Sequence, residues 1–266
     1  RQASNTAVGD NALGSNTTAS NNTAVGYQSL LSNVTGFNNV AIGVNALYTN
    51  TASNNTAIGR DALKLSTADN CVAVGSLSLA ANTTGAANVA IGYGALNDNT
   101  TGNYNIAIGG GALDTNTTGD NNVAMGINAL TANTTADNNI AIGYDALTAN
   151  TTGTRNTALG AYALDANTTV DNNTALGYAS LSSNTTGSPN TAVGAYTLVL
   201  NTTGVRNTAC GYYVLYNNTG SNNSAFGDSA LSNNTTASNN SAFGYNALGS
   251  NTTGSHNNAI GANALD

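Results

Sequence analysis

Apolar and polar positions alternate along this chain in a pattern that returns every seventeen residues. Asn5-Thr6-Ala7-Val8-Gly9-Asp10-Asn11-Ala12-Leu13 is followed by Asn22-Thr23-Ala24-Val25-Gly26-Tyr27-Gln28-Ser29-Leu30. Further copies open at Asn39, Asn55, Cys71, Asn88, Asn105, Asn122, Asn139, Asn156, Asn173, Asn190, Asn207, Asn223, Asn240 and Asn257. The unit reads Asn-Thr-Ala-Val/Ile-Gly-x-x-Ala-Leu-x-x-Asn-Thr-Thr-Gly-x-x. Position three is always Ala, position five always Gly and position nine always Leu, while position four is always apolar. The copies from Asn39, Asn55 and Asn207 are one residue short. Their gap falls in the Asn-Thr-Thr-Gly stretch, which therefore reads as a turn that tolerates deletion.

Such a period is too short for the helix pairs of helical repeats, which need about 33 residues or more. The apolar positions do not recur at helical spacing through the polar half of the unit either. β-Branched residues at positions two and four, punctuated by Gly and Asn, predict short strands separated by turns. Two such strands per coil, with each coil stacked on the next in register, make an all-β parallel β-solenoid of about 16 coils with 17 residues each. At about 4.8 Å per coil, the array becomes a rod roughly 75 Å long. Side chains of a strand alternate between faces, so position four is expected inside against the position-nine Leu, with position two on the same face. The position-three Ala then faces away. Gly at position five marks a bend with positive φ or a close backbone approach. Stacked Asn side chains are expected to form amide ladders.

The core this leaves is thin. A small apolar residue facing outward in every coil points to self-association, with three chains as the expected form. The alternative is that Ala keeps two sheets of one chain close together. Residues 1–266 read as one continuous repeat array, with 1–4 as the tail of a preceding repeat and 257–266 as a partial last one. Solenoids normally carry polar capping repeats, and neither end has one. Flanking domains or end-to-end stacking into a filament are therefore expected.

Composition narrows the function. Only 6% of the residues are charged, the net charge is −7, and every acid is Asp. Five cations cannot supply the basic stripe that a nucleic-acid binder needs. No apolar run approaches the roughly 20 residues that span a bilayer. One His and no Glu equip the chain poorly for catalysis, and no cofactor is expected.

At Asn39-Val40-Ala41-Ile42-Gly43 and Asn88-Val89-Ala90-Ile91-Gly92 the chain resembles the head repeat of YadA-like trimeric autotransporter adhesins, which centres on Asn-Ser-Val-Ala-Ile-Gly. Fibre proteins of phages and large viruses carry similar repeats. The resemblance extends through all the copies. It implies a left-handed parallel β-roll, three chains side by side, on a surface-exposed adhesive fibre. The period of 17 is longer than that family's usual repeat because of the Asn-Thr-Thr-Gly insertion.

Several residues are candidates for chemistry. Asn16, Asn82, Asn99, Asn116, Asn133, Asn150, Asn167, Asn184, Asn201, Asn234 and Asn251 each begin Asn-Thr-Thr, and Asn33 begins Asn-Val-Thr. All fit the N-glycosylation acceptor pattern and would stack along one edge. The alternative is that these Asn and Thr side chains bond nearby backbone as turn formers. Tyr recurs at position six as Tyr27, Tyr93, Tyr144, Tyr178, Tyr212 and Tyr245, with Tyr162, Tyr196 and Tyr213 one place later. This is a possible recognition surface for carbohydrate or protein, or a row of rings covering apolar edges.

Asp10, Asp61, Asp145 and Asp228 read as solvated charge rather than a calcium site, and His256 as a surface residue. Cys71 and Cys210 lie eight coils apart, about 38 Å by the strand spacing, which is too far for a disulfide. Cys210 reads as a core substitute for Val. The expected role is structural and adhesive: an extracellular, cell-surface or virion fibre segment that spaces, stiffens and binds a host surface protein or glycan. Two alternatives stand beside it, a glycosylated self-assembling filament without a receptor and an ice-binding solenoid.

Overall fold

The computed structural model describes residues 4–266. Arg1, Gln2 and Ala3, read above as part of a preceding repeat, lie outside the described residues. The chain divides into two compact units, Arg1–Ala136 and Asp137–Asp266. Both are built from the same coil, and the fold is an all-β parallel β-solenoid. Strands of three residues cover positions two to four of each copy, from Thr6–Val8 to Val123–Met125 in the first unit and from Ile140–Ile142 to Asn258–Ile260 in the second. Within each unit every strand pairs in parallel with its sequence neighbours. The register places like on like: Val89 pairs with Ile106, Ala90 with Ala107 and Ile91 with Ile108.

Only one strand forms per coil, where two were expected. The backbone takes left-handed φ values at positions seven and nine, as at Asn128 (55°) and Leu130 (56°), and these break the extended conformation. Inter-coil hydrogen bonds nevertheless continue on this side. Leu96 N–H donates to Ala112 O at 2.9 Å, Asp98 N–H to Asp114 O at 2.9 Å and Thr100 N–H to Thr117 O at 2.9 Å.

The two faces of the strand are reversed relative to the sequence expectation. Ala at position three points inward, fully buried from Ala24 to Ala242, and the apolar residue at position four points outward. Ala90, Ala95 and Leu96 are all 0% exposed, whereas Ile91 is 39% exposed. The reason is space. The interior already holds a column of Leu from the opposite wall and two columns of Asn, so only a methyl group fits beneath the strand. Cys210 accordingly lies at an intermediate, outward position rather than in the core.

Position-five Gly behaves as expected. Gly109 has φ of 137°, and a Cβ there would lie 2.4 Å from the carbonyl oxygen of Gly126 in the next coil. The deletion-tolerant turn is also where expected. In a full coil the Asn33 amide reaches the carbonyl of Gly36, three residues on, at 2.9 Å. In the short coil the Asn50 amide reaches that of Ala52, two residues on, at 2.8 Å. The missing Thr is absorbed without disturbing the stack.

Candidate functional site

Two asparagine columns organise the interior. At position one, Asn105 N–H donates to Asn88 Oδ1 of the preceding coil at 2.9 Å. The Asn105 amide donates to Gly119 O at 2.8 Å. At position twelve, Asn116 donates both to Asn99 Oδ1 at 2.8 Å and to the same Gly119 O at 3.0 Å. Each coil thus closes on one carbonyl held by two amides, and each amide is tied to the coil before it.

This geometry decides where the glycosylation-pattern residues sit. Asn33, Asn82, Asn99, Asn116, Asn133, Asn150, Asn167, Asn184, Asn201 and Asn234 are 0% exposed, while Asn16 and Asn251 at the margins are partly buried. The expected exposed row of acceptors is therefore an internal ladder. A glycan on any of these buried nitrogens would displace the hydrogen bonds that close the coil. The turn-forming reading describes them. Position-thirteen Thr hydroxyls are engaged as well: Thr83 Oγ1 donates to Thr100 O at 2.9 Å and Thr100 Oγ1 to Thr117 O at 2.9 Å. The adjacent Thr84 and Thr101 are exposed on the outer side.

Cys71 replaces Asn in the position-one column and is buried and free. Its thiol lies 3.4 Å from Gly85 O, and burial pushes the thiol pKa up. His256 is exposed, as are Asp10 and Asp228. Asp61 departs from the expected solvated charge. It is 8% exposed and meets Arg60 Nη1 at 3.1 Å and Lys64 Nζ at 3.2 Å. Its Oδ1 also accepts from Asn45 at 3.0 Å. Burial alone would raise its pKa, but the hydrogen bonds from Asn45 and Lys64 and the two cations together hold it below the usual carboxylate value. Asp114 and Asp165, at position ten, drew no notice in the sequence. Burial pushes both carboxyls up, and one oxygen of Asp165 is buried with no hydrogen-bond partner.

Two features remain on the outside. The first is the column of positions two and four, which presents Val40, Ile42, Ile58, Ile91, Ile106 and Met125 on one face of the first unit, each partly or largely exposed. In the second unit Phe226 and Phe243 stack in this column at 5.0 Å with their planes 6° apart.

The second is tyrosine. All six position-six residues, Tyr27, Tyr93, Tyr144, Tyr178, Tyr212 and Tyr245, are exposed. They are not equivalent. Tyr144, Tyr178 and Tyr212 join Tyr162, Tyr196, Tyr213 and Tyr216 in a contiguous series, whereas among the described residues of their units Tyr27, Tyr93 and Tyr245 have no ring contact. Tyr216, at position ten, is the member that counting positions six and seven did not find. Compared with known proteins, the chain matches no family model, no curated protein and no solved structure.

Proposed function

We propose that this chain is a stiff, non-enzymatic segment of an extracellular fibre that associates side by side with two further copies of itself and serves attachment to a host surface protein or glycan. The observation that carries the reading is the outward column of position four, apolar in every coil, which Val or Ile joins at position two in six coils, from Val40 to Ile140. The coil buries alanine and asparagine and turns the apolar residue of position four outward, in the same place in coil after coil. Contiguous exposed apolar patches of this kind mark interaction surfaces. A second copy of the chain supplies a column with the same spacing, and three parallel copies around one axis cover all their columns at once in a closed assembly. The likeness of Asn-Val-Ala-Ile-Gly to the head repeats of trimeric adhesins points the same way. Parallel main-chain ladders in every coil resist bending and suit a mechanical role. A glycosylated filament draws less support, because the coil engages nearly all of its acceptor amides internally. An ice-binding face draws less as well, because one Thr of each pair donates its hydroxyl to the next coil.

Sedimentation equilibrium of the purified chain tests the proposal. The expected mass is that of three chains, and the double substitution Ile58→Asp and Ile91→Asp should release monomers that keep their circular dichroism. A monomer in the unsubstituted protein, or a trimer indifferent to both aspartates, overturns it.

A further inference from the structure

The tyrosine series of the second unit is built as a zigzag. Tyr144 at position six contacts Tyr162 at position seven of the next coil, with ring centroids 5.5 Å apart. Tyr162 contacts Tyr178 at 5.8 Å and Tyr178 contacts Tyr196 at 5.3 Å, all edge to face. Tyr196 then meets Tyr213 at 5.2 Å and Tyr212 at 6.1 Å. Tyr212 and Tyr213 lie 4.6 Å apart, and Tyr213 stacks on Tyr216 at 4.7 Å with planes 17° apart. Edge-to-face pairs at these distances are favourable contacts, yet the rings are not sealed in. Tyr144 and Tyr178 are each 46% exposed and Tyr212 is 51% exposed. Exposure and ring contact therefore coincide here, while Tyr93 and Tyr245, at 67% and 59% exposed, have exposure alone.

Phenols held in contact and open to solvent share a specific chemistry. We propose that the series from Tyr144 to Tyr216 is a site of oxidative modification, where a peroxidase-type oxidant with hydrogen peroxide couples neighbouring rings into dityrosine and joins successive coils covalently. Each ring loses one electron and its phenolic proton to become a phenoxyl radical. Two neighbouring radicals combine through the carbons ortho to oxygen, forming one carbon–carbon bond. Both rings then regain aromaticity as the ortho hydrogens shift to the phenoxyl oxygens, so each ring ends as a phenol. The pair loses two electrons and two protons in all, which reduce one hydrogen peroxide to two waters. The surroundings assist the first step. The Asp145 carboxylate beside Tyr144 accepts a hydrogen bond from that phenol and its charge pushes the phenol pKa up, so an acceptor for the proton is in place as the electron leaves. Because every ring in the series touches the next, a radical formed at any exposed member can pass to a partner before it escapes.

The test treats the dilute full-length chain with a haem peroxidase and limiting hydrogen peroxide, then reads dityrosine fluorescence, denatured intact mass and mapped peptides. The expected product is a single chain lighter by two hydrogens per bond. Its cross-links join consecutive members of the series, Tyr27, Tyr93 and Tyr245 remain unmodified, and its thermal midpoint rises. The triple substitution Tyr162→Phe, Tyr196→Phe and Tyr213→Phe should cut the dityrosine yield at least fivefold. Should that variant misfold, Tyr162→Phe alone must abolish cross-links at Tyr144 and spare those among Tyr196, Tyr212, Tyr213 and Tyr216. Cross-links distributed by exposure, with Tyr93 as reactive as Tyr212, would overturn the proposal. So would bonds formed only between chains, or a yield indifferent to the substitutions.

Discussion

The position-nine residue is Leu in every copy although Val and Ile are as apolar, and its backbone explains why. Leu113 is 0% exposed with φ of 55°, a left-handed conformation that costs an L-residue about 1–2 kcal/mol and more when the side chain branches at Cβ. Burial of the side chain, about 1.5–3 kcal/mol, offsets this for Leu. Leu113→Met should therefore destabilise by less than about 1.5 kcal/mol. Leu113→Ile, equal in volume, should fall nearer the 2–5 kcal/mol of a truncation to Ala, as read by urea unfolding. Buried carboxylates act at the same scale with opposite signs. Burial raises Asp165 above its unfolded pKa, so the fold favours its acid form; that contribution is present at low pH and lost as pH rises through the folded pKa. Asp165→Thr, which copies Thr148 in the preceding coil, should raise the thermal midpoint at neutral pH, with a gain that shrinks on acidification. Asp61 is held low by Asn45, Lys64 and Arg60 against the opposing effect of burial. Its contribution is present above the unfolded pKa and lost as pH falls through the folded one, so Asp61→Asn should destabilise at neutral pH and have no effect in acid.

At the scale of the coil, the stack, the period, the position-five bend and the deletion-tolerant turn were all legible, because a repeat displays which positions tolerate change. The inward face was not, although its signal was present. Positions one, three and five scarcely vary between copies, while positions two and four range over Thr, Ser, Asn, Val, Ile, Met, Leu, Cys and Phe. The invariant odd positions are the crowded ones. Assigning the larger apolar residues to the core followed the usual association of size with burial, and failed because asparagine occupies the room that isoleucine would need. The candidate site suffered from the same inversion: a glycosylation pattern is also what an internal amide ladder looks like when Thr follows each Asn. Each asparagine column has an interruption: Ser66 at position twelve, whose hydroxyl accepts from the Asn82 amide at 3.2 Å, and Cys71 at position one. At Cys71 a weakly accepting sulfur takes the place of the amide oxygen, and the backbone N–H of Asn88 bonds to it. Cys71→Asn should restore a full hydrogen bond and stabilise by about 1 kcal/mol. Asn116→Leu should do the reverse, because it leaves the inward-pointing acceptors Asn99 Oδ1 and Gly119 O short of a donor. Gly119 O keeps its bond from the Asn105 amide at 2.8 Å, so the loss of about 1–3 kcal/mol falls on Asn99 Oδ1.

At the scale of the whole molecule, each coil within a unit is satisfied by its neighbours. Strand pairing, the asparagine columns and the Leu column all run from one coil to the next, so stability within each unit adds up by nearest-neighbour terms, as in other solenoids. The array should then be divisible at whole periods and nowhere else. Excising residues 88–104 joins Ala87 to Asn105, which stands at the same position of the repeat as Asn88. The shortened chain should keep its circular dichroism and unfold cooperatively, with a denaturant slope reduced in proportion to the surface lost. Excising only 88–95 removes about half a coil. It would set Asn105 over a Leu-bearing wall, turn inward side chains out and break both amide columns at once. Chemical denaturation and hydrogen exchange on the two deletions distinguish an additive stack from a globular core. In an additive stack, exchange protection in 137–266 is unchanged by the first deletion, and the second exposes amides chiefly in the coils flanking the junction. If both deletions unfold the chain alike, packing within each coil rather than between coils carries the stability.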